Sequence, residues 1–195
     1  MRRAAILVLA GCTPLAAVVD PPLAQLSRWE SAGPAEIAAE PVSCSPGHAA
    51  CPRLHMLRAE ACMSIAMASR APGAACPALR GNLPCAADSY AAARALTPNP
   101  AFAAGEAQAR LCLAELLPPA EAVREAALAA SAAMAAGAPI LAARAALIAA
   151  RPGAGTEPQR CAAAQAGLRL APAGSREAAD IALRIATIPD CGATP

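Results

Sequence analysis

The chain has 195 residues, enough for one domain with its own core or a short array of helical pairs. Hydrophobic residues make up 57% of it but aromatics only 2%, and Ala alone fills 61 positions. A core so poor in large side chains is thin and needs staples. All 16 basic residues are Arg, set against 14 acidic ones for a net charge of +2. That excess is too small for a nucleic-acid binder, which works by displacing counterions from phosphates. The bias toward Ala, Arg, Pro and Gly is that of a GC-rich genome, so the arginines are not read as a functional signal.

The first residues, MRRAAILVLAGC, join two arginines to an apolar run from Ala4 to Ala10 and end in Leu9-Ala10-Gly11-Cys12. A charged start, an apolar segment and small residues before a cut describe a secretory signal. The run is too short to span a bilayer, which takes about 20 apolar residues, and Pro14, Asp20, Pro21 and Pro22 follow at once. The ending resembles a bacterial lipobox. That resemblance implies a signal peptide over residues 1–11 and lipidation of Cys12, which becomes the membrane-anchored N-terminus. Thr13 in place of Asp then points to the outer membrane, facing the periplasm. With Arg2 and Arg3 removed, the mature side chains balance at 14 Arg and 14 acidic residues.

Pro14, Pro21, Pro22, Pro34, Pro41 and Pro46 interrupt any apolar periodicity, apart from a turn or two around Leu23 to Glu30. Residues 12–51 are therefore expected to form a Pro-rich tether, with Trp29 either docked on the helices or exposed. The domain is expected at 52–195.

From Pro52 the pattern predicts seven helices. The first covers Arg53 to Arg70, with Leu54, Leu57, Ala61 and Ala68 on one stripe and Met56, Met63 and Met67 beside it; core filling explains this Met stripe better than copper binding. The others cover about 84–97, 100–117, 118–136, 139–150, 157–170 and 176–187. Pro98, Pro118, Gly137 and Pro152 act as stops, Thr156 with Gln159 as a capping box, and Ser175 as a cap.

Ala86, Tyr90 and Ala93 fall at i, i+4 and i+7 on one helical face, and Pro98 follows. This small-aromatic-small-proline spacing resembles the second helix of a tetratricopeptide repeat. Ala127, Ser131, Met134 and Pro139 follow it loosely, and Arg160, Ala164, Gly167 and Pro172 keep mainly the proline. Hairpin starts at 53, 100 and 139 lie 47 and 39 residues apart, against the family's 34 or so. The resemblance implies an all-α fold in which three antiparallel hairpins and a C-terminal helix form a right-handed array, with Tyr90 buried between hairpins. A plain antiparallel helical bundle is the alternative.

Beyond Cys12, eight cysteines remain, and an even number in an exported, core-poor domain reads as a disulfide framework. Eight allow 105 pairings. Nearest-neighbour pairing gives Cys44–Cys51, Cys62–Cys76, Cys85–Cys112 and Cys161–Cys191, with Cys76–Cys85 the main competitor. Cys44, His48, Cys51 and His55 form a C-x3-H-x2-C-x3-H cluster with ligands suited to zinc or copper. The spacing fits no zinc-finger pattern, and an exported Cys pair tends to oxidise, so no metal or other cofactor is expected. The chain carries no catalytic motif. Glu121 with Glu125, and Glu106 with Arg110, are four apart and read as solvated helix faces rather than acid–base pairs.

These features predict a lipid-anchored envelope protein, not an enzyme, that binds a protein or peptide of the envelope through helical hairpins. The alternative is a periplasmic metal-handling protein built on the Cys/His cluster.

Overall fold

A computed structural model describes residues 20–45 and 47–191. Among these residues the chain is all-helical, with nine helices and no strand. They are α1 (Pro21–Trp29), α2 (Pro34–Ala39), α3 (Cys51–Met67), α4 (Leu83–Leu96), α5 (Pro100–Leu116), α6 (Pro119–Ala135), α7 (Pro139–Ala149), α8 (Glu157–Leu170) and α9 (Arg176–Ala186). The signal segment and Cys12 lie outside the described residues.

Proline explains most of the helix starts. Every helix but α9 has Pro at its first or second position, where the missing N–H would have no partner anyway and φ is already helical. Side chains supply further caps. Asn99 Oδ1 accepts from Ala101 N at 2.8 Å, Thr156 and Gln159 form a reciprocal capping box, and Ser175 Oγ accepts from Ala178 N. Gly137, with φ of +66°, ends α6 in the left-handed conformation that glycine adopts without strain.

The same logic corrects the expected tether. Pro21 and Pro34 begin helices instead of breaking them, so the described residues of 20–51 belong to the folded body and not to the tether expected at 12–51, whose residues 12–19 lie outside the described residues. α1 and α2 pack on α3, burying Trp29 and Ile37 against Ala50, Leu54 and Ala61. Glu40 ties this layer together. It accepts from Trp29 Nε1 at 2.8 Å, Gln25 Nε2 at 3.1 Å and Arg28 Nη2 at 2.6 Å.

From α3 onward each helix packs chiefly on its neighbours in sequence, and α5 also meets α7, as α7 meets α9. The buried apolar residues are mostly alanines, notably between α5, α6 and α7, where Ala107, Ala132, Ala133 and Ala142 form one cluster. Small side chains allow close approach. An added Cβ at Gly167 of α8 would stand 2.7 Å from Ala146 Cβ of α7. At Gly105 of α5 it would stand 2.5 Å from Tyr90 Cζ, so the Tyr90 ring lies directly on the α5 backbone. Tyr90 is only half-buried, short of the full burial expected, because its ring covers a glycine at the helix surface instead of entering a core pocket. Burial, then the nearby Glu60 charge, raise its phenol above the ordinary pKa.

This contact makes a stability prediction. Gly105→Ala should destabilise the protein by about 1–3 kcal/mol, the usual range for overpacking. Tyr90→Ala should cost less than the ~3–5 kcal/mol of a fully buried aromatic. Urea melts of the double variant should show a loss smaller than the sum of the two, since the ring and the new methyl group compete for one space.

Candidate functional site

The chemistry-bearing side chains fall into three groups, the first being the Cys/His segment before and within the first turn of α3. Cys44 and Cys51 are joined in a disulfide with Cα atoms 5.7 Å apart, which removes both thiolates from the candidate ligand set. His48 Nε2 lies 3.2 Å from Asp20 Oδ2, and its Nδ1 accepts from Ala50 N at 3.2 Å. The Leu23 amide bonded to Asp20, and secondly His48, hold that carboxyl below its usual pKa. His55 sits four residues after Cys51. Burial, then Arg58, lower its pKa. Among the described residues no three His, Cys, Asp or Glu side chains converge as metal ligands.

The remaining disulfides form the second group. Cys161 and Cys191 are joined and tie α8 to the segment after α9. The other four cysteines cross relative to nearest-neighbour pairing: the structure joins Cys62–Cys85 and Cys76–Cys112, not Cys62–Cys76 and Cys85–Cys112. The reason is helical facing. Cys62 and Cys85 both point into the α3–α4 contact, among Ala86 and Ala87. Cys76, in the loop between those helices, folds over α5, where Cys112 is buried beside Leu83 and Leu113. Four disulfides place the folded chain in an oxidising compartment outside the cytoplasm. Among the described residues no helix is long and apolar enough to cross a membrane.

The third group is a charge network joining α4, α5 and α6. Glu106 and Arg110, expected on a solvated face, are 2% and 8% exposed. Glu106 Oε2 accepts from Arg94 Nε at 2.7 Å and its Oε1 accepts from Arg110 Nε at 2.9 Å. Arg110 Nη1 donates to Glu125 Oε2 at 2.8 Å, and its Nη2 lies 3.5 Å from Asp88 Oδ1. Burial works against the Arg110 charge, but its hydrogen bonds to Glu106 and Glu125 outweigh burial and raise its pKa. With both carboxylate oxygens engaged by guanidinium groups, Glu106 is a helix cross-link and not a free base. Glu121 is exposed, while Glu125, four residues on, is turned to Arg110. Sequence spacing missed this network because i, i+4 charges read alike on a wet face and at a helix contact.

An open hollow of about 360 Å³ lies at the Cys161–Cys191 bridge, bordered by Glu157, Gln165, Pro189 and Asp190. Gln165 Nε2 there donates to the Cys191 carbonyl at 3.2 Å.

No protein-family model matches the chain, and neither the curated proteins nor the solved structures yield a significant match.

Two measurements check these assignments. Non-reducing peptide mapping should recover the peptides of Cys62 with Cys85 and of Cys76 with Cys112, and reduction should lower the melting temperature strongly, since one bridge typically contributes about 2–4 kcal/mol. Glu106→Ala should destabilise the protein by chemical denaturation, but by less than the ~3–5 kcal/mol of a fully unpaired buried charge, because Arg110 keeps its bond to Glu125.

Proposed function

We propose that the protein is a lipid-anchored component of a bacterial envelope, facing the periplasm from the outer membrane, that binds a protein or peptide of the envelope. Its helices are read as three hairpins, α3–α4, α5–α6 and α7–α8, closed by α9 in a degenerate tetratricopeptide-like array. The observation that carries the array reading is the alternation of contacts, in which α5, α7 and α9 touch in succession while each also packs on its sequence neighbour. Stacked hairpins of this kind bind through an extended surface. The lipobox-like Leu9-Ala10-Gly11-Cys12 supports the anchor, and four disulfides agree with export. The metal-handling alternative is not favoured, since Cys44 and Cys51 are bonded to each other.

Cys12→Ser should abolish fatty-acid labelling and release the protein from membranes with its helicity unchanged; labelling that persists would refute the anchor. Mild crosslinking in intact envelopes should give a discrete adduct with the lipidated protein. Failure to form one in the native membrane would count against the binding role.

A further inference from the structure

Two helices in contact and joined by a few residues run antiparallel. The links 97–99, 117–118, 136–138 and 171–175 are of that kind. The Cys62–Cys85 bridge also sets the first turn of α4 against the later half of α3. One edge of the body therefore collects the starts of α3, α5, α7 and α9 with the ends of α4, α6 and α8. The connections along it, residues 97–99, 136–138 and 171–175, contain no charged side chain. The connections of the opposite edge carry Arg70, Arg80, Arg151 and Asp190.

The uncharged edge also exposes large apolar side chains at successive helix ends: Leu96, Met134, Ile140 and Leu168. Leu79, Leu116 and Leu183, exposed elsewhere, adjoin Arg80, Glu115 and Arg184 in sequence. Arg53, Arg169 and Arg176 are exposed at the same edge, Arg176 paired with Asp180 at 3.6 Å, and its other acidic groups are Asp20, paired with His48, and Glu177.

The chain enters the body at this edge. Asp20 caps α1 and contacts His48, three residues before α3 begins, and the exposed Leu23 is in the first turn of α1. Cys12 precedes Asp20 by eight residues, a reach of at most about 29 Å at 3.3–3.6 Å per residue. The long helices α3, α5 and α6 have 17 residues each, about 25 Å at 1.5 Å per residue. A lipid on Cys12 thus keeps the entry edge within that reach of the bilayer, while the opposite edge is separated from the attachment point by a further helix length.

We propose that the edge formed by Leu96, Met134, Ile140 and Leu168 rests on the membrane surface, with its apolar side chains in the headgroup region and its arginines near lipid phosphates. The lipid holds the body to the membrane, and the edge sets which way the body faces it. This inference rests on the anchored reading given above.

The test uses lipidated protein on phosphatidylethanolamine/phosphatidylglycerol vesicles with brominated acyl chains, which quench tryptophan on contact. Trp29 is buried, so it gives a constant background. Ile140→Trp and Leu168→Trp should lose most of their added emission, while Leu183→Trp, on the far half of α9, should keep it. Anchored protein in which neither edge position is quenched, or in which position 183 is quenched equally, overturns the proposal while leaving the anchor intact. No fatty acid on Cys12 and no sedimentation with vesicles would overturn both readings. Hydrogen exchange of the unsubstituted protein provides the check if a variant misfolds. Vesicles should slow exchange at 97–99 and 136–138 but not at 150–156, and the reverse pattern rejects the edge.

Discussion

Alanine sets the terms on which this fold holds together. Burying apolar surface contributes about 25 cal/mol per Å², and a methyl group offers little of it, so helices lined by alanine must approach closely and still need other ties. Both responses are visible. Gly167 brings α8 close to the α7 backbone at Ala143 and Ala146, and Gly105 lets the Tyr90 ring lie directly on α5. Three of the disulfides hold segments that lie outside the helices. Cys76–Cys112 holds the long loop between α3 and α4, Cys161–Cys191 holds the segment after α9, and Cys44–Cys51 closes the approach to α3.

The charge network answers the same constraint differently. An alanine-lined contact leaves room that long side chains can fill with their aliphatic stems, and Arg110 and Glu106 occupy such room between α4, α5 and α6. Desolvating these charges is costly, and the network contributes only because its members satisfy one another. Its value lies equally in register, since Glu106 meets Arg94 of α4 and Arg110 meets Glu125 of α6, and a slide of α5 by one turn would break both contacts. The Arg144–Glu115 pair, 2.9 Å apart, links α7 to α5 in the same manner but nearer the surface.

The helices after residue 50 were legible because their punctuation is local. Proline at a first turn, Thr156 with Gln159 and Ser175 each act within four residues, so sequence carries them directly. What was not legible depends on facing. Proline has two meanings, breaker and starter, and in residues 20–51 only the burial of Trp29 against Leu54 decides for the second. The cysteine pairing turned on which side of α3 presents Cys62, and sequence distance is a poor guide to that. Gly105 did carry a signal, since glycine inside a helix costs about 1 kcal/mol relative to alanine, and the gain that offsets it is the ring seated on it.

The arrangement of polar groups bears on function through what remains free. Eight cysteines are engaged in bridges, Glu106 is saturated by two arginines, and His48 is turned to Asp20, so groups that could act chemically serve packing instead. The surface of the fold is uneven. One set of helix connections is bare of charge and bordered by Leu96, Met134, Ile140 and Leu168, while the other carries arginines. A body free in water gains nothing from sorting its turns this way, because exposed apolar side chains bring no benefit there and invite association. A body held by a short chain at one edge does gain, since the same side chains can then bury in the headgroup region and fix its orientation on the membrane.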